Sequence, residues 1–342
     1  MITVSEIAKK AGVSATTVSL CFQKDSRISE KTRKKVLDIA SNHGYFPNKI
    51  AQMLRCGESN LIGIVVSESD TPFMQDIVTN AEKVLSENGY NVMIFSTYRE
   101  IEREREVLTA AMEFKARGLI VTACERDDPE LISISKSGLP LVCVDSQPKN
   151  VKSHLILEDM EGISKMGVNY LLGLGHRKIL FLNAWKEHEH FTSFATFNRV
   201  CKETLAANNV ELGGKYFKNA GLYVKDGFKA VTEALWDGLD FTAVFCISDN
   251  VAVGAIDALE EKGKKIPTDV SVLGIDDSEI AKLKRISLTT IGTSYGNTYM
   301  HIGEMAADLL IRSIDDETYP LKEIIMLPKL VERDSCCVVK EV

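Results

Sequence analysis

The spacing of apolar residues along this chain changes once, near residue 60. Before that point it follows a helical period. Ile7, Ala8 and Ala11 share one helical face, opened by Thr3 and Glu6 at the spacing of a capping box. Gly12 ends that helix, because a left-handed turn brings glycine no side-chain clash. Ser14 caps a second helix with Val18 and Phe22 on its apolar side. Ser29 caps a third that ends at Gly44 and carries Val36, Leu37, Ile39 and Ala40. Beyond residue 60 the apolar residues gather into short continuous runs, the mark of buried parallel strands. Strands are expected over 61–67, 90–96, 118–122 and 139–145, with helices over 73–88, 100–117 and 128–137. A second set follows: helix 160–172, strand 178–183, helices 193–208 and 226–236, strand 242–248, helix 250–262, strand 270–275 and helix 297–314. Alternating strands and helices with short connections imply doubly wound parallel sheets.

Two short helices joined by a tight glycine turn form a helix-turn-helix, whose second helix can lie in the major groove of DNA. The same joint also occurs in ordinary small helical cores. Charge favours the DNA reading. Lys31, Arg33, Lys34 and Lys35 crowd the start of the third helix, where the helix dipole prefers acids and a phosphate backbone would accept cations. Residues 1–57 hold ten Lys and Arg against four Asp and Glu, while the remainder holds 31 against 44. A basic module on an acidic body suggests a polyanion partner for the first and solubility for the second.

Three motifs sharpen this. A-G-V-S-x-x-T-V-S, R-I-S-E-K-T-R-K-K-V and G-Y-x-P-N-x-x-A-x-x-L-R-x-G resemble, in order and spacing, the DNA-binding headpiece of the lactose/galactose repressor family. The likeness continues at Gly175–Leu182 (G-H-R-K-I-L-F-L), at D-V-S-V-L-G-I-D-D and at L-T-T-I. It implies a small all-α helix-turn-helix headpiece over 1–46, a hinge helix and linker over 47–59, and an effector-binding and dimerisation domain over 60–335. That body is expected to be an α/β two-lobed fold like the periplasmic binding proteins, built on two doubly wound parallel sheets. Lobe one would span about 60–159 and 291–322, and lobe two about 160–290 and 323–335. The expected partners are a double-stranded DNA operator, a small-molecule effector such as a sugar or other polar metabolite, and a second copy of the chain. No cofactor, metal or membrane is expected. Residues 336–342 are too short for a coiled coil, which disfavours a tetramer.

By the same resemblance, Ser14, Ala15, Thr16, Thr17, Ser19, Leu20 and Arg33 would contact DNA, together with the hinge residues Asn48, Ala51 and Leu54. Leu54 would wedge, with its twin, into a kinked minor-groove step. Leu20 stands where many relatives carry Arg, so a two-pronged grip on guanine is lost, and base choice leans on Thr16, Ala15 and Ser19.

Effectors of open α/β sheets bind beyond the carboxyl ends of the strands. Strand ends here supply Ser67, Asp145, Asn183, Asp249 and Asp276. The resemblance makes Asp249 an effector ligand, and capping of the following helix is its alternative role. Phe73 and Tyr223 serve either as cleft aromatics or as core. Ala195 replaces an Arg usual in the family, and Arg199 lies out of register, which points toward a less polar effector or another anchor.

Other chemistry finds little support. His188-Glu189-His190 offers two metal ligands without a third. Gly173-Leu174-Gly175 lacks the last glycine of a dinucleotide fingerprint, and there is no phosphate-binding G-x-x-x-x-G-K-[ST] loop. The eight cysteines show no metal spacing and read as reduced thiols. With no apolar signal run at the start, the expectation is a cytoplasmic, ligand-responsive repressor that is not an enzyme. Its rivals are a solute-binding protein of the same two-lobed fold, a sugar-processing enzyme, and a regulator acting as an activator.

Overall fold

The computed structural model describes residues 2–22, 27–46, 59–124, 128–184, 192–294 and 301–339. It divides into two compact units, residues 1–59 and 60–342. The expected hinge residues Asn48, Ala51 and Leu54, the residue Cys56, and the His188-Glu189-His190 run lie outside the described residues.

The first unit holds three helices: α1 (Val4–Ala11), α2 (Ala15–Cys21) and α3 (Glu30–Asn42). The capping box forms, with the Thr3 hydroxyl accepting from the Glu6 amide and Glu6 Oε2 accepting from the Thr3 amide at 2.8 Å. Gly12 takes φ +70°, which lets the chain reverse within two residues, and the Ser14 hydroxyl then accepts from the Thr17 amide at 3.0 Å. Ile7, Val18 and Val36, one from each helix, are fully buried at the centre. One detail differs from expectation. Cys21, not Phe22, is the second buried residue of α2, because positions three apart share a face; Phe22 ends the helix and lies against the Tyr45 ring at 5.8 Å.

The second unit is built on an eleven-stranded sheet among the described residues, in the order β2-β1-β3-β4-β5-β11-β10-β9-β8-β6-β7. Lobe one contains β1 (Leu61–Val66), α4 (Pro72–Glu87), β2 (Asn91–Ser96), α5 (Ile101–Glu113), β3 (Gly118–Val121), α6 (Pro129–Lys136), β4 (Leu141–Val144) and β5 (His154–Glu158). Lobe two contains α7 (Met160–Gly173), β6 (Ile179–Asn183), α8 (Thr192–Ala207), β7 (Phe217–Asn219), α9 (Val224–Trp236), β8 (Ala243–Cys246), α10 (Asp249–Glu261), β9 (Ser271–Ile275) and β10 (Thr289–Ser294). Helix α11 (Ile302–Asp315) returns to lobe one and packs on α4, β3 and β4.

The last strand, β11 (Glu323–Val331), belongs to both lobes. Its first half, from Glu323 to Met326, pairs parallel with β5, and its second half, from Leu327 to Val331, pairs antiparallel with β10. The two expected sheets are therefore joined through one shared strand. Strand pairing also moves two of the expected crossings: β10 stays in lobe two as far as Ser294 rather than to about 290, and β11 changes partner after Met326 rather than near 322. The apolar runs of β5 and β11 are short: Leu155–Leu157 in β5 is flanked by His154 and Glu158, and Ile324–Leu327 in β11 is cut off by Pro328 and Lys329, with exposed and covered positions alternating. That is why the strand pattern missed them.

Packing within lobe two is tightest where α9 crosses α10. A Cβ added to Gly254 would collide with the Val224 carbonyl, and one added to Gly227 would collide with that of Val251. On the side of the sheet covered by α7 and α8, where Gly167 abuts the Phe245 ring, Phe197 and Phe245 meet edge to face at 5.0 Å, and Phe181 stacks on Phe217 at 4.7 Å.

Candidate functional site

In the headpiece the outward positions of α2 are the polar and small ones. Ser14, Ala15 and Thr16 are exposed, while Thr17, Ser19 and Leu20 are partly covered. The Thr17 hydroxyl lies 2.9 Å from that of Ser14, and the Ser19 hydroxyl donates to the Ala15 carbonyl at 3.2 Å. These local bonds fix the rotamers of the row that a groove would meet. Arg33 is half-buried, and its Nη1 donates to the Cys21 carbonyl at 2.9 Å, satisfying an end of α2. Its guanidinium therefore ties α3 to the reading helix, a role the charge count alone did not reveal. Lys31, Lys34 and Lys35 remain exposed on α3.

In the second unit the strand ends of both lobes converge on a cleft of about 660 Å³, part of it open to solvent. Lobe one contributes Thr71, Phe73, Arg99, Asp145 and Glu158; lobe two contributes Phe194, Leu222, Ser248, Asn250, Asp276 and Ser278. Of the six residues expected to meet an effector, Phe73 and Asp145 line this space. The other four have different surroundings.

Asn183 is buried, donating to the Phe194 carbonyl and accepting from the Ala184 amide, both at 2.9 Å, so it shapes the exit from β6. Ser67 donates its amide to the Thr122 hydroxyl at 2.8 Å, and its own hydroxyl is buried without a hydrogen-bond partner. The Tyr223 hydroxyl donates to Asp70 Oδ1 at 3.1 Å, a link from lobe two to lobe one. Burial, and then the charges of Glu68 and Asp70, push its phenol up to about 12, so it stays a donor.

Asp249 does not line this cleft, and it is not the cap of the helix that follows. Ser248 is the N-cap of α10. The Asp249 carboxylate is 1% exposed and accepts from the Ser278 amide and hydroxyl, both at 2.8 Å, and from the Thr290 hydroxyl at 2.6 Å. It pins the turn after β9 to β10 and α10. Asp249→Ala is expected to remove about 2–3 kcal/mol of stability, the order of charged hydrogen bonds lost in a buried site. Urea unfolding checks this. A variant of unchanged stability that had lost its ligand response would instead return Asp249 to the ligand.

The remaining carboxyls are not compensated in this way. Burial lifts Asp145 to about 6, against the pull of Arg99. Burial and then the neighbouring Asp145 lift Glu158 to about 8, although the Thr293 hydroxyl donates to it at 3.0 Å. Asp276 is raised by burial and by Asp249, Glu158 and Asp145. Three of the four charged residues lining the cleft sit at positive φ: Arg99 at 59°, Asp145 at 50° and Asp276 at 114°. Non-glycine residues rarely adopt that conformation, and where they do it is often at binding sites. Arg199 does not replace the missing family Arg. It is half exposed and pairs with Glu161 at 2.7 Å and Glu203 at 3.0 Å. Arg99 escaped notice because it lies in a turn with no pattern, and Glu158 because β5 was not foreseen.

A family model described as the lacI family of bacterial regulatory proteins matches residues 3–48, and one for a periplasmic binding protein-like domain matches 168–336. The chain is 31% identical to the HTH-type transcriptional repressor PurR of Mannheimia succiniciproducens, over 98% of both proteins. It belongs to the lacI family of bacterial regulatory proteins. Two solved structures share this lacI-family architecture. The lac repressor dimer bound to operator and the anti-inducer ONPF is 25% identical, with a TM-score of 0.78 over 98% of this chain and 99% of that one. A LacI-family regulator from Silicibacter pomeroyi is 21% identical, with a TM-score of 0.83 over 99% and 100% of the two chains, and speaks for the fold alone. As a member of the lacI family the chain is a DNA-binding regulator of transcription.

Proposed function

We propose that this chain represses transcription by binding a palindromic operator as a homodimer, and that a small molecule between the lobes sets its affinity. The observation that carries this is the presence, in one chain, of a capped reading helix with an exposed polar row and a two-lobed body with a polar cleft. In this reading Ala15, Thr16, Ser19 and Leu20 meet base edges, while Ser14, Thr17 and the α3 lysines position the phosphate backbone. Residues 1–46 are the headpiece, 47–59 the hinge with Asn48, Ala51 and Leu54, and 60–335 the effector and dimerisation domain. Effector in the cleft favours one lobe angle over another, and that preference is felt at the operator because the coupling is reciprocal. The chain acts by binding and not by catalysis, and it works in the cytoplasm. Among the described residues no group of His, Cys, Asp or Glu has the geometry to hold a metal.

The supporting experiment is a salt titration of operator binding. Each phosphate contact contributes about −0.9 to the log–log slope, so six contacts weaken binding roughly a thousand-fold between 50 and 200 mM salt. A nearly flat dependence on a selected operator contradicts the proposal.

A further inference from the structure

The polar groups of the cleft are badly matched in charge. Asp145, Glu158 and Asp276 line it, and Arg99 is the one cation among the described lining residues. Arg99 is itself engaged: its Nε lies 3.3 Å from Glu68 Oε1, and its guanidinium faces the Phe194 ring of the other lobe at 5.3 Å. Glu68 is only 7% exposed, and its second oxygen, Oε2, is buried without a hydrogen-bond partner. Its charge helps raise the Tyr223 phenol of the other lobe. Among the described residues the cleft is thus lined by three carboxyls and one guanidinium, and that guanidinium is paired with a fourth, buried carboxyl, Glu68.

A buried carboxylate without a partner is costly, and its commonest remedies are a proton or a cation. Three neighbouring carboxyls repel one another, so each added negative charge raises the cost of the next. A neutral polyol can donate hydrogen bonds to these oxygens but leaves the charge uncompensated. An anionic ligand adds to it. An ammonium group removes it and donates up to three hydrogen bonds. Phe73, Phe194, Leu222, Ile247 and Ile275 face the same space, beside the neutral polar Thr71, Ser248, Asn250 and Ser278. Such a wall suits a hydrocarbon body and offers cation–π faces.

Resting on the reading of this cleft as the effector site, we propose that its ligand is a small organic amine, its ammonium group held by Asp145, Glu158 and Asp276 and its apolar body lying against the aromatic wall.

The test is calorimetric titration of the full chain at pH 7.5 with charge-matched pairs. The amines are 1,5-diaminopentane, agmatine, phenethylamine and glucosamine; the neutral partners are 1,5-pentanediol, 2-phenylethanol, N-acetylglucosamine and glucose, with hypoxanthine added. At least one amine is expected to bind, its neutral counterpart at least ten-fold more weakly. Asp145→Asn and Glu158→Gln should each weaken that amine ten-fold or more. Asp145→Asn removes a buried charge and Glu158→Gln replaces a carboxyl that burial keeps largely protonated, so both should melt no lower than the parent, which separates lost binding from lost folding. A neutral compound that binds with an affinity indifferent to both variants overturns the amine assignment and leaves the cleft as an effector site if Ser248→Trp abolishes it. An amine whose binding survives both carboxamide variants and Ser248→Trp binds elsewhere, and then the cleft reading fails with it. Heat from neither series overturns the amine assignment.

Discussion

Gly254→Val is expected to destabilise the second unit by about 3–5 kcal/mol, the upper range for forced overpacking of a closed core. The reason is backbone against backbone. At the crossing of α9 and α10 an added Cβ meets the Val224 carbonyl oxygen and the Phe228 amide, neither of which can rotate aside. Relief requires the two helices to part, and parting them uncovers Ala230, Val231, Val251 and Ala255, which are now 3% exposed or less. The hydrogen-bonded turn made by Asp249 lies at the start of the same helix, so the cleft floor should loosen together with the core. Gly213→Ala is the matched control. Its added Cβ meets nothing within 4 Å and its φ is −64°, so a change within about 0.5 kcal/mol is expected. Urea unfolding followed by tryptophan fluorescence and circular dichroism compares the two, and equal midpoints would remove the close crossing from the account.

The stability of the ligand-free protein should fall as pH rises from 6.5 to 8, opposite to the usual effect of carboxylates. Glu158 is raised from 4.5 to about 8, and Asp276 well above 3.8, while both ionise at ordinary values in the unfolded chain. Between those values the folded state holds protons that the unfolded state has released, so unfolding gains with each rise in pH. Each group held protonated contributes about 1.4 kcal/mol per pH unit until its folded value is passed. For Glu158 this amounts to about 2 kcal/mol over this window, and Asp276 acts in the same direction. The charges facing them come from every side of the cleft: Asp145 and Arg99 of lobe one, Asp249 of lobe two, and the Thr293 hydroxyl of β10. His154 and His176 are lowered by burial and act below this window, and the buried thiols act above it. Melting temperature recorded across the range should decline, and Glu158→Gln should flatten the decline. A rising profile, or one that Glu158→Gln leaves unaltered, contradicts the burial assigned to that carboxyl.

The headpiece was legible almost residue by residue, because short helices advertise their ends. Thr3, Gly12, Ser14 and Ser29 each perform the capping or turning role that their residue type dictates. Strands buried on both sides were equally clear, as the run L-I-G-I-V-V of β1 shows. Strands at the lobe boundary were not, since β11 serves two sheets, is covered only at alternate positions and is interrupted by Pro328 and Lys329. The cleft was legible only as a place. Strand ends pointed to Asp145 and Asp276, which line it, but equally to Asn183 and Asp249, whose side chains are held by Phe194 and by Ser278 and Thr290 instead. Which way a strand-end carboxylate turns depends on partners such as Ser278 and Thr290, tens of residues away in sequence. Nor could the charge imbalance be read in advance, because it arises from Arg99 and Glu158, neither of which sits in a recognisable motif.

The account's central claim is that a sequence-reading headpiece and a ligand-sensing body act in one chain. It is tested most directly by selecting duplexes from a randomised pool with the full chain and with residues 60–342 alone, then measuring both on the selected sequence. The full chain should enrich an inverted repeat and bind it at least about a thousand-fold more tightly than random duplex, within the usual specificity range of such proteins. Residues 60–342 should enrich nothing and bind the repeat no better than random DNA. Recovery of the same repeat by residues 60–342, or of no repeat by the full chain, would contradict it.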